Sequence, residues 1–384
     1  MMNPDQMERP HICHLTVLNP ALHPRIFHKL AQSQRILGYR VTVLGQDESS
    51  IPYDADGVDI IPVSPFHRAS WKRWLFSVRF ARKALVTRAD VYVIHTPELL
   101  PLGAYLRWKS DAKLIYDMHE SYSDNLMHAP YLPSWIRGVL SDGWRRFERM
   151  AISKWVDGVS LAERCYQPLL EGLDVPNLVL ENRYLSKNHY SASTEGTPYL
   201  LYTGTLAANW GLWHLMEVWE EMRQVRPCRL VIAGFSHDQT LLKDLADRIS
   251  RSPFSDEIEL IGGSRFVPYD QVQDLISNCV AGFGLYEPMP HLIQKIPTKF
   301  FEYRFHQKPL IYPDVPTWRS FWEGHGIAWT PVSSGETLWE ELDQVIPTGD
   351  PSMDSWESQV PDLDKWMEGI VISNPLLGET LQNL

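Results

Sequence analysis

The sequence is poor in cysteine and lacks the marks of a secreted or membrane-spanning chain. Its four cysteines stand far apart among 384 residues, with no C-x-x-C pair, which disfavours a disulfide framework or a cysteine metal site. The start, MMNPDQMERPH, is polar, and no apolar run approaches the ~18 residues of a membrane-spanning helix. We therefore expect a cytoplasmic protein with reduced thiols.

Two nucleotide-binding motifs and a strongly basic region are also missing. No G-x-G-x-x-G follows a strand-like run and no G-x-x-x-x-G-K-[ST] occurs, which disfavours dinucleotide dehydrogenases and P-loop enzymes. Residues 1–190 carry 23 Lys and Arg against 20 acids, whereas the remainder carries 13 against 27. This asymmetry suggests two domains with different surfaces. Wholesale binding of nucleic acid is disfavoured, because neither half is strongly basic.

Short apolar runs alternate with helical patterns along the whole chain, and their continuity is typical of strands buried on both faces of a parallel sheet. A polar stretch over 186–198 has the composition of a linker. We predict an α/β protein with two Rossmann-like, doubly wound parallel-sheet domains facing a central cleft: 1–190, 191–355, and a helical segment over 356–384. The predicted strands are 11–18, 40–46, 58–63, 91–96, 113–119, 158–161, 177–182, 198–206, 229–234, 257–263, 279–286, 308–313 and 326–332.

Ligands of parallel sheets bind at the carboxyl ends of strands, and this rule selects His119 and Arg25. His119 closes the strand KLIY within Asp117-Met118-His119-Glu120, where it could bond a ligand hydroxyl, ligate a metal or serve the structure alone. No third metal ligand with suitable spacing is evident. Arg25 opens the first helix, where an arginine can hold phosphate; the alternative is a solvated helix residue.

The same rule selects two segments of the second half. TGTLAANWG (203–211) is a strand-to-helix loop with Gly204 and Gly211, whose amides either hold a phosphate or only form tight turns. In KIPTKFFEYRFHQKPLI (295–311), Pro297 begins a helix and Lys299 lies in its first turn. The single acid Glu302 could accept from both hydroxyls of a ribose, or pair with Lys299 or Lys308.

The segment HRASWKRWLFSVRFARKALVTR (67–88) has seven Lys and Arg, no acid, and several aromatic residues. A basic helix with interleaved aromatics is typical of a membrane-interface helix. The alternative is a core helix with solvated cations and buried rings. A peripheral position at the inner membrane face therefore accompanies the cytoplasmic expectation as a hypothesis.

Taken together, these segments resemble the glycosyltransferase group 1 family, which has the GT-B fold, retains the sugar's configuration and uses nucleotide sugars. The most specific piece is PTKFFEYRFHQKPLIYPDVPTW, which resembles that family's "P-x-K … E-Y … P-hydrophobic-I" block; LGYRVTVL, DVYVIHTPELLPLG, LIYDMHESY, LYTGTL and LVIAG support it. The resemblance implies a donor nucleotide on the second domain, the acceptor on the first, and no required metal or other cofactor.

The resemblance also implies roles for particular residues. It places Glu302 on the ribose, Lys299 near the phosphates and His119 on the donor sugar. With the strand-end positions, it gives catalytic roles to His119, Arg25 and Lys299. The expected donor-binding residues are Gly204, Thr205, Gly234, Arg265, Gln294, Lys295, Thr298, Lys299 and Glu302.

The sequence departs from the family pattern at three places. The family's first acid falls on Gln294, the loop TLAANWG lacks the usual Arg and Lys, and NPALHPR replaces the glycine pair of the first loop. Each change removes a phosphate or sugar contact, and Arg25, Lys295 and Arg265 are the candidate substitutes.

We predict a hexosyltransferase-type glycosyltransferase that moves a sugar from a UDP- or GDP-linked donor to a polysaccharide, glycolipid or other acceptor. Two alternatives remain open: a nucleotide-sugar epimerase on the same fold, and a catalytically inactive scaffold. The expected partners are the donor, a glycan or lipid-linked acceptor and, through 67–88, a membrane surface.

Overall fold

The computed structural model describes residues 9–49, 51–63, 72–129, 131–186, 197–346 and 350–372, and the side chains of 72–79 and 372 are not part of that description. The chain folds into two compact units. The first unit contains the chain up to Asn182 and again from Gln359 onward, and the second unit is Arg183–Ser358. The chain therefore leaves the first unit, builds the second and returns.

The first unit is built on an eight-stranded sheet in the order β3-β4-β2-β1-β5-β6-β7-β8. Every pairing in it is parallel except that of β3 with β4. Without the antiparallel edge strand, the spatial order becomes third, second, first, fourth and onward, as in a doubly wound fold. The strands are β1 Arg9–Pro20, β2 Tyr39–Gln46, β3 Tyr53–Ala55, β4 Val58–Val63, β5 Val91–Ile94, β6 Lys113–Met118, β7 Gly158–Leu161 and β8 Asn177–Val179.

Helices follow these strands, and the first opens in an unusual form. Pro24 begins a π-helical segment, Pro24–Ala31, that continues as α1. The inward face of this passage buries Ile26, Phe27 and Leu30, so apolar burial stabilises it although no side chain caps its start. The helices are α1 Gln32–Ile36, α2 Lys72–Thr87, α3 Leu100–Ser110, α4 Tyr122–Met127 and α5 Ser134–Trp155.

The second unit has a six-stranded sheet in the order β11-β10-β9-β12-β13-β14, and all of its pairings are parallel. This is again the doubly wound order, with its reversal between β9 and β12. The strands are β9 Tyr199–Thr205, β10 Arg229–Phe235, β11 Ile258–Gly263, β12 Ala281–Phe283, β13 Leu310–Pro313 and β14 Ile327–Trp329. The helices are α6 Leu212–Val225, α7 Gln239–Arg251, α8 Tyr269–Asn278, α9 Thr298–Phe305, α10 Pro316–Trp322 and α11 Gly335–Gln344.

A last helix, α12 Val360–Ile372, belongs to the first unit. Arg9 of β1 donates to Asp364 at 2.6 Å and to Glu368 at 3.3 Å. The buried side chain of Ile370 lies against Gly158 of β7. No helix among the described residues is both long enough and apolar enough to cross a bilayer.

Candidate active site

In the first unit, an ion pair joins the start of the first helix to the end of β6. The guanidinium of Arg25 donates from Nε to Oδ2 of Asp117 at 3.0 Å and from Nη2 to Oδ1 at 2.7 Å. Its Nη1 donates to the Leu180 carbonyl at 2.7 Å and to Oδ1 of Asn182 at 3.1 Å. Arg25 is 2% exposed. Its position therefore fits a residue that holds Asp117 in place.

Histidines surround this ion pair at the carboxyl edge of the sheet, near the reversal between β1 and β5. Nδ1 of His95 lies 3.0 Å from Oδ2 of Asp117, and Nε2 of His119 lies 2.6 Å from the same oxygen. Behind His95 stands His14 of β1, with Nδ1 at 2.8 Å from Nε2 of His95. The ring of His23 stacks on that of His119 with centroids 5.9 Å apart.

Burial sets the charge states in this cluster. It lowers the pKa of His14 to about 3 and those of His23 and His95 to about 4, so these rings are neutral near pH 7. Burial alone would raise the pKa of Asp117, but Arg25, His119 and His95 outweigh it and hold that pKa well below its usual range. The cluster therefore contains a carboxylate–guanidinium pair and the neutral imidazoles of His14, His23 and His95.

Ligand atoms of His95, Asp117 and His119 lie within 4.8 Å of one another, as a metal site would require. Both oxygens of Asp117, however, accept from Arg25, and Oδ1 also accepts from the Ser160 hydroxyl at 2.7 Å. A divalent cation would have to displace or face the guanidinium charge. We therefore interpret the cluster as a hydrogen-bonded ion pair and assign no metal ligands in it.

In the second unit, Lys299 lies at the start of α9 with its side chain turned into the unit. Its Nζ donates to the Thr203 carbonyl at 2.6 Å and lies 4.4 Å from the ring centroid of Tyr202 and 5.0 Å from that of Tyr286. Burial lowers the pKa of Lys299 to about 7, against the opposing effect of the Glu302 charge. The side chain of Lys299 can therefore gain or lose its proton readily near neutral pH.

The other residues predicted around Lys299 have different exposures. Glu302 is half-buried, one turn further along α9, and its charge acts on Lys299. Thr298 and Gln294 are exposed and Lys295 is half-buried. The Lys295 carbonyl accepts from Nε1 of Trp318 at 2.8 Å, which ties the approach to α9 to α10.

Glycines shape the loop after β9. Gly211 has φ +80°, and a Cβ there would lie 1.6 Å from the Leu285 carbonyl oxygen. A Cβ on Gly234 would lie 2.1 Å from the Gly204 carbonyl oxygen. At both positions only glycine lets the two backbone segments pack this closely. The interpretation of this loop as tight turns alone also predicts glycine at such positions.

The remaining donor-site candidates are placed at the surface of this edge. Gly204 and Thr205 are exposed, and Arg265, in the loop after β11, is exposed as well. The structure thus brings Lys299 against β9 and places Gly204 beside it, where a Cβ would lie 3.9 Å from Nζ. Their roles, like those of the other site residues, stay predictions.

Sequence reasoning did not select His14 or its neighbour Gln34, whose Oε1 lies 2.6 Å from Nε2 of His14. A signal for them existed, because His14 and His95 each interrupt an apolar run predicted as a strand. When two such strands are neighbours in a parallel sheet, the polar side chains within their apolar runs, here His14 and His95, come close together.

A cavity of about 1260 Å³ opens at the opposite, amino edge of the first unit's sheet. Its lining includes Arg9, His11, Tyr39, Asp59 and Asp90. Because ligands of doubly wound sheets bind at carboxyl edges, we do not connect this cavity with the residues above.

Solved structures with low sequence identity share this architecture. Sucrose-phosphate synthase from Thermosynechococcus elongatus matches with a TM-score of 0.65 at 13% identity, covering 98% of this chain and 100% of that one. HepE from Anabaena, in complex with UDP-glucose, matches with a TM-score of 0.57 at 15% identity over 98% and 100%. An α,α-trehalose-phosphate synthase (UDP-forming) from Burkholderia vietnamiensis matches with 0.60 at 11% over 96% and 98%. These likenesses and the two doubly wound sheets confirm the predicted GT-B fold.

The chain also resembles a known family over part of its length. Its residues 24–180 match the family described as glycosyl transferase 4-like domain. No curated protein matches the chain.

Proposed function

We propose that this protein transfers a sugar from a nucleotide-diphosphate sugar, preferably UDP-linked, to a glycan or lipid-linked acceptor in the building of a cell-surface polysaccharide or glycolipid. The observation that carries the proposal is the position of α9 beside the sheet reversal of the second unit, with Lys299 bonded to Thr203 of β9. One similar protein supports UDP over GDP, because the solved structures of HepE contain UDP-glucose and UDP.

In this proposal the second unit binds the donor. The Glu302 carboxylate accepts from the two ribose hydroxyls, and Lys299 lies near the diphosphate together with the exposed amides at Gly204 and Thr205. Approach of a diphosphate favours the ammonium form of Lys299, whose proton is loosely held at a pKa of about 7. Arg265 and Lys295 supply the further positive charge.

Acceptor binding belongs to the first unit, where His119 offers a partly exposed ring at the sheet edge. The reaction as proposed uses no metal, and the protein works in the cytoplasm.

We further propose peripheral contact of α2 with a membrane, because Arg82 and Lys83 are exposed on it. Of the aromatics in that segment, Phe80 is buried in the core, Trp71 lies outside the described residues, and the side chains of Trp74 and Phe76 are not described.

A thermal-shift screen over nucleoside diphosphates and their sugars tests the donor proposal. We expect UDP and a UDP-sugar to raise the melting temperature, and Glu302→Ala to remove that rise because the ribose loses its acceptor. Replacing Glu340, an exposed acid of α11 in the same unit, with Ala should leave the rise intact. An equal rise in Glu302→Ala and wild type refutes the ribose assignment, and no rise with any nucleotide favours the inactive scaffold.

A further inference from the structure

Helix α5 has an exposed face with large apolar side chains on it. The residues that the helix buries in the first unit are Ser141, Glu148, Ala151 and Ile152. On the opposite face, Trp135 is 79% exposed and Val139, one turn further along, is 71% exposed. Neighbouring apolar side chains of this size that stay in water are typical of an interaction surface.

The exposed face extends beyond these two residues. Asp142, Arg146 and Met150 follow Trp135 and Val139 at intervals of three or four residues, and all five are exposed. At 3.6 residues per turn this spacing puts them on one line along the helix, which we call the α5 stripe. Neither Asp142 nor Arg146 makes an ion pair or a side-chain hydrogen bond with another described residue.

Two glycines lie beside the stripe. A Cβ on Gly138 or on Gly143 would meet no atom of another described segment within 4 Å, so the helix backbone is uncovered there. Glycine within a helix is less stable than alanine, and no contact inside the first unit requires it at these positions. A second helix can approach α5 more closely over these glycines than over longer side chains.

The order of apolar residues in the stripe is complementary to itself. When two copies of the stripe run antiparallel and cross at its middle, each residue faces the one at the same distance on the other side of the crossing. Trp135 of one copy then faces Met150 of the other, a favourable contact between an aromatic ring and a thioether. Val139 faces the aliphatic stem of Arg146 in the same way.

The charges of the stripe match under the same two-fold axis. Asp142 lies next to Val139 on the stripe, and Val139 is the residue that faces Arg146 of the other copy. The Asp142 carboxylate is thus within reach of that guanidinium. Because each copy contributes both charges, the axis generates two ion pairs, with Gly143 at the crossing between them.

A lipid surface matches the stripe less well than a second copy does. A helix that lies on a membrane separates a face rich in Lys and Arg from an apolar face. In the α5 stripe the acid Asp142 lies between Val139 and Arg146 on one face, and lipid offers no cation to a carboxylate that it covers. A second copy brings the matching guanidinium.

We propose that the α5 stripe is the interface of a symmetric homodimer, in which α5 of one copy packs antiparallel on α5 of the other. The contact uses the same surface of both copies and therefore closes on itself. One helix face from each copy makes a small interface, so the dimer is reversible, with a dissociation constant in the micromolar range. The inference uses the first unit alone and does not depend on the proposed donor chemistry.

Sedimentation velocity on the full chain, from about 1 to 200 µM, tests the proposal. We expect the wild type to shift from monomer to dimer as its concentration rises. Trp135→Ser combined with Val139→Ser should raise the dissociation constant at least about tenfold and leave the melting temperature of the monomer unchanged, because both side chains are exposed. Trp108→Ser, which removes an exposed tryptophan of α3 in the same unit, should dimerise as wild type does.

Charge reversal tests the pairing itself. Asp142→Arg alone and Arg146→Asp alone should each raise the dissociation constant at least about tenfold, because like charges then meet across the axis. An equimolar mixture of the two variants should associate again, since every contact then joins opposite charges. Restored association in the mixture is a result that a merely structural effect of either substitution would not give.

Three results would overturn the proposal. They are a wild-type protein that stays monomeric up to about 200 µM, a dimer that the changes at Trp135 and Asp142 leave intact, and a mixture of the charge-reversed variants that stays monomeric. A monomeric wild type that binds phosphatidylserine vesicles, and loses that binding when Trp135 and Val139 are both replaced by Ser, would assign the stripe to lipid instead.

Discussion

Glu148 carries a carboxyl group into the core of the first unit. It lies on the buried face of α5, 5% exposed, and its Oε1 accepts from the Tyr116 hydroxyl at 2.8 Å. Burial raises the pKa of Glu148 to about 7, although the bond from Tyr116 opposes the shift. The folded protein therefore holds this carboxyl largely protonated below neutral pH, whereas the unfolded chain ionises it near its ordinary value of 4.5.

This difference predicts how Glu148→Gln changes stability with pH. A raised folded pKa contributes stability that is complete below about pH 4.5 and is lost as pH rises through about 7. Gln keeps an acceptor for Tyr116 and cannot ionise, so the variant should gain about 2–3 kcal/mol relative to wild type between pH 5 and pH 8. Denaturant unfolding at both pH values measures it. The exposed Glu171→Gln should show no such gain, and parallel curves for Glu148→Gln would contradict the assigned pKa.

For single residues, type and position in the sequence predict which edge of a sheet a side chain lies at, but they do not predict its hydrogen-bond partner. The strand-end rule placed His119, Arg25 and Lys299 at carboxyl edges of the sheets, where the structure has them. It could not foresee that Arg25 bonds Asp117 or that Lys299 bonds a β9 carbonyl. Such pairings depend on distances between elements far apart in the sequence, and local pattern carries no information on those distances.

Helix α2 shows how one segment can serve both the core and the surface. Phe80, Ala81 and Ala84 are buried, while Arg82 and Lys83 are exposed. Its described part is thus an amphipathic helix packed on the first unit, as the core-helix alternative requires. The exposed cations still allow the proposed contact with anionic lipid, through charge rather than through Phe80.

Replacing Lys72, Arg73, Arg79 and Arg82 with Gln tests that contact. Each cation near an anionic surface contributes about 1 kcal/mol, so the fourfold variant should bind phosphatidylserine-containing vesicles at least tenfold more weakly in sedimentation. Lys243→Gln with Arg251→Gln, two exposed cations of α7, is the control and should bind as wild type does. Equal binding by the fourfold variant and wild type would end the membrane proposal.

Elements with strong periodic patterns were predictable, and irregular ones were not. All thirteen predicted strands lie where the structure has parallel strands. They could be predicted because a strand buried on both faces consists of a continuous run of apolar residues. The short antiparallel strand β3 was missed, since Tyr53–Ala55 is a half-exposed edge without such a run. The π-helical turn at Pro24–Ala31 was expected as ordinary helix, because both forms bury the same apolar residues.

The path of the whole chain gives the last helix a structural task. Having built the second unit, the chain returns at Gln359, whose side chain bonds the Glu181 backbone at both N–H and carbonyl. Helix α12 then covers β7, and Gly158 leaves room for Ile370, since a Cβ there would lie 2.4 Å from Cδ1 of that side chain. The first unit is therefore completed by residues that follow the second unit in the sequence.

Ile370→Ala should consequently weaken the first unit without weakening the second. Truncating a buried isoleucine costs about 2–5 kcal/mol, and a protein of two units need not unfold in one step. Hydrogen exchange should show lost protection at 158–161 and unchanged protection at 200–204, with the nucleotide-induced thermal shift preserved. Gly158→Ala alone should also destabilise the first unit. The double variant should lose less stability than the sum of the two single losses, because the smaller side chain at position 370 makes room for the new methyl group at position 158. Uniform loss of protection across both units would instead show that the fold is one cooperative whole.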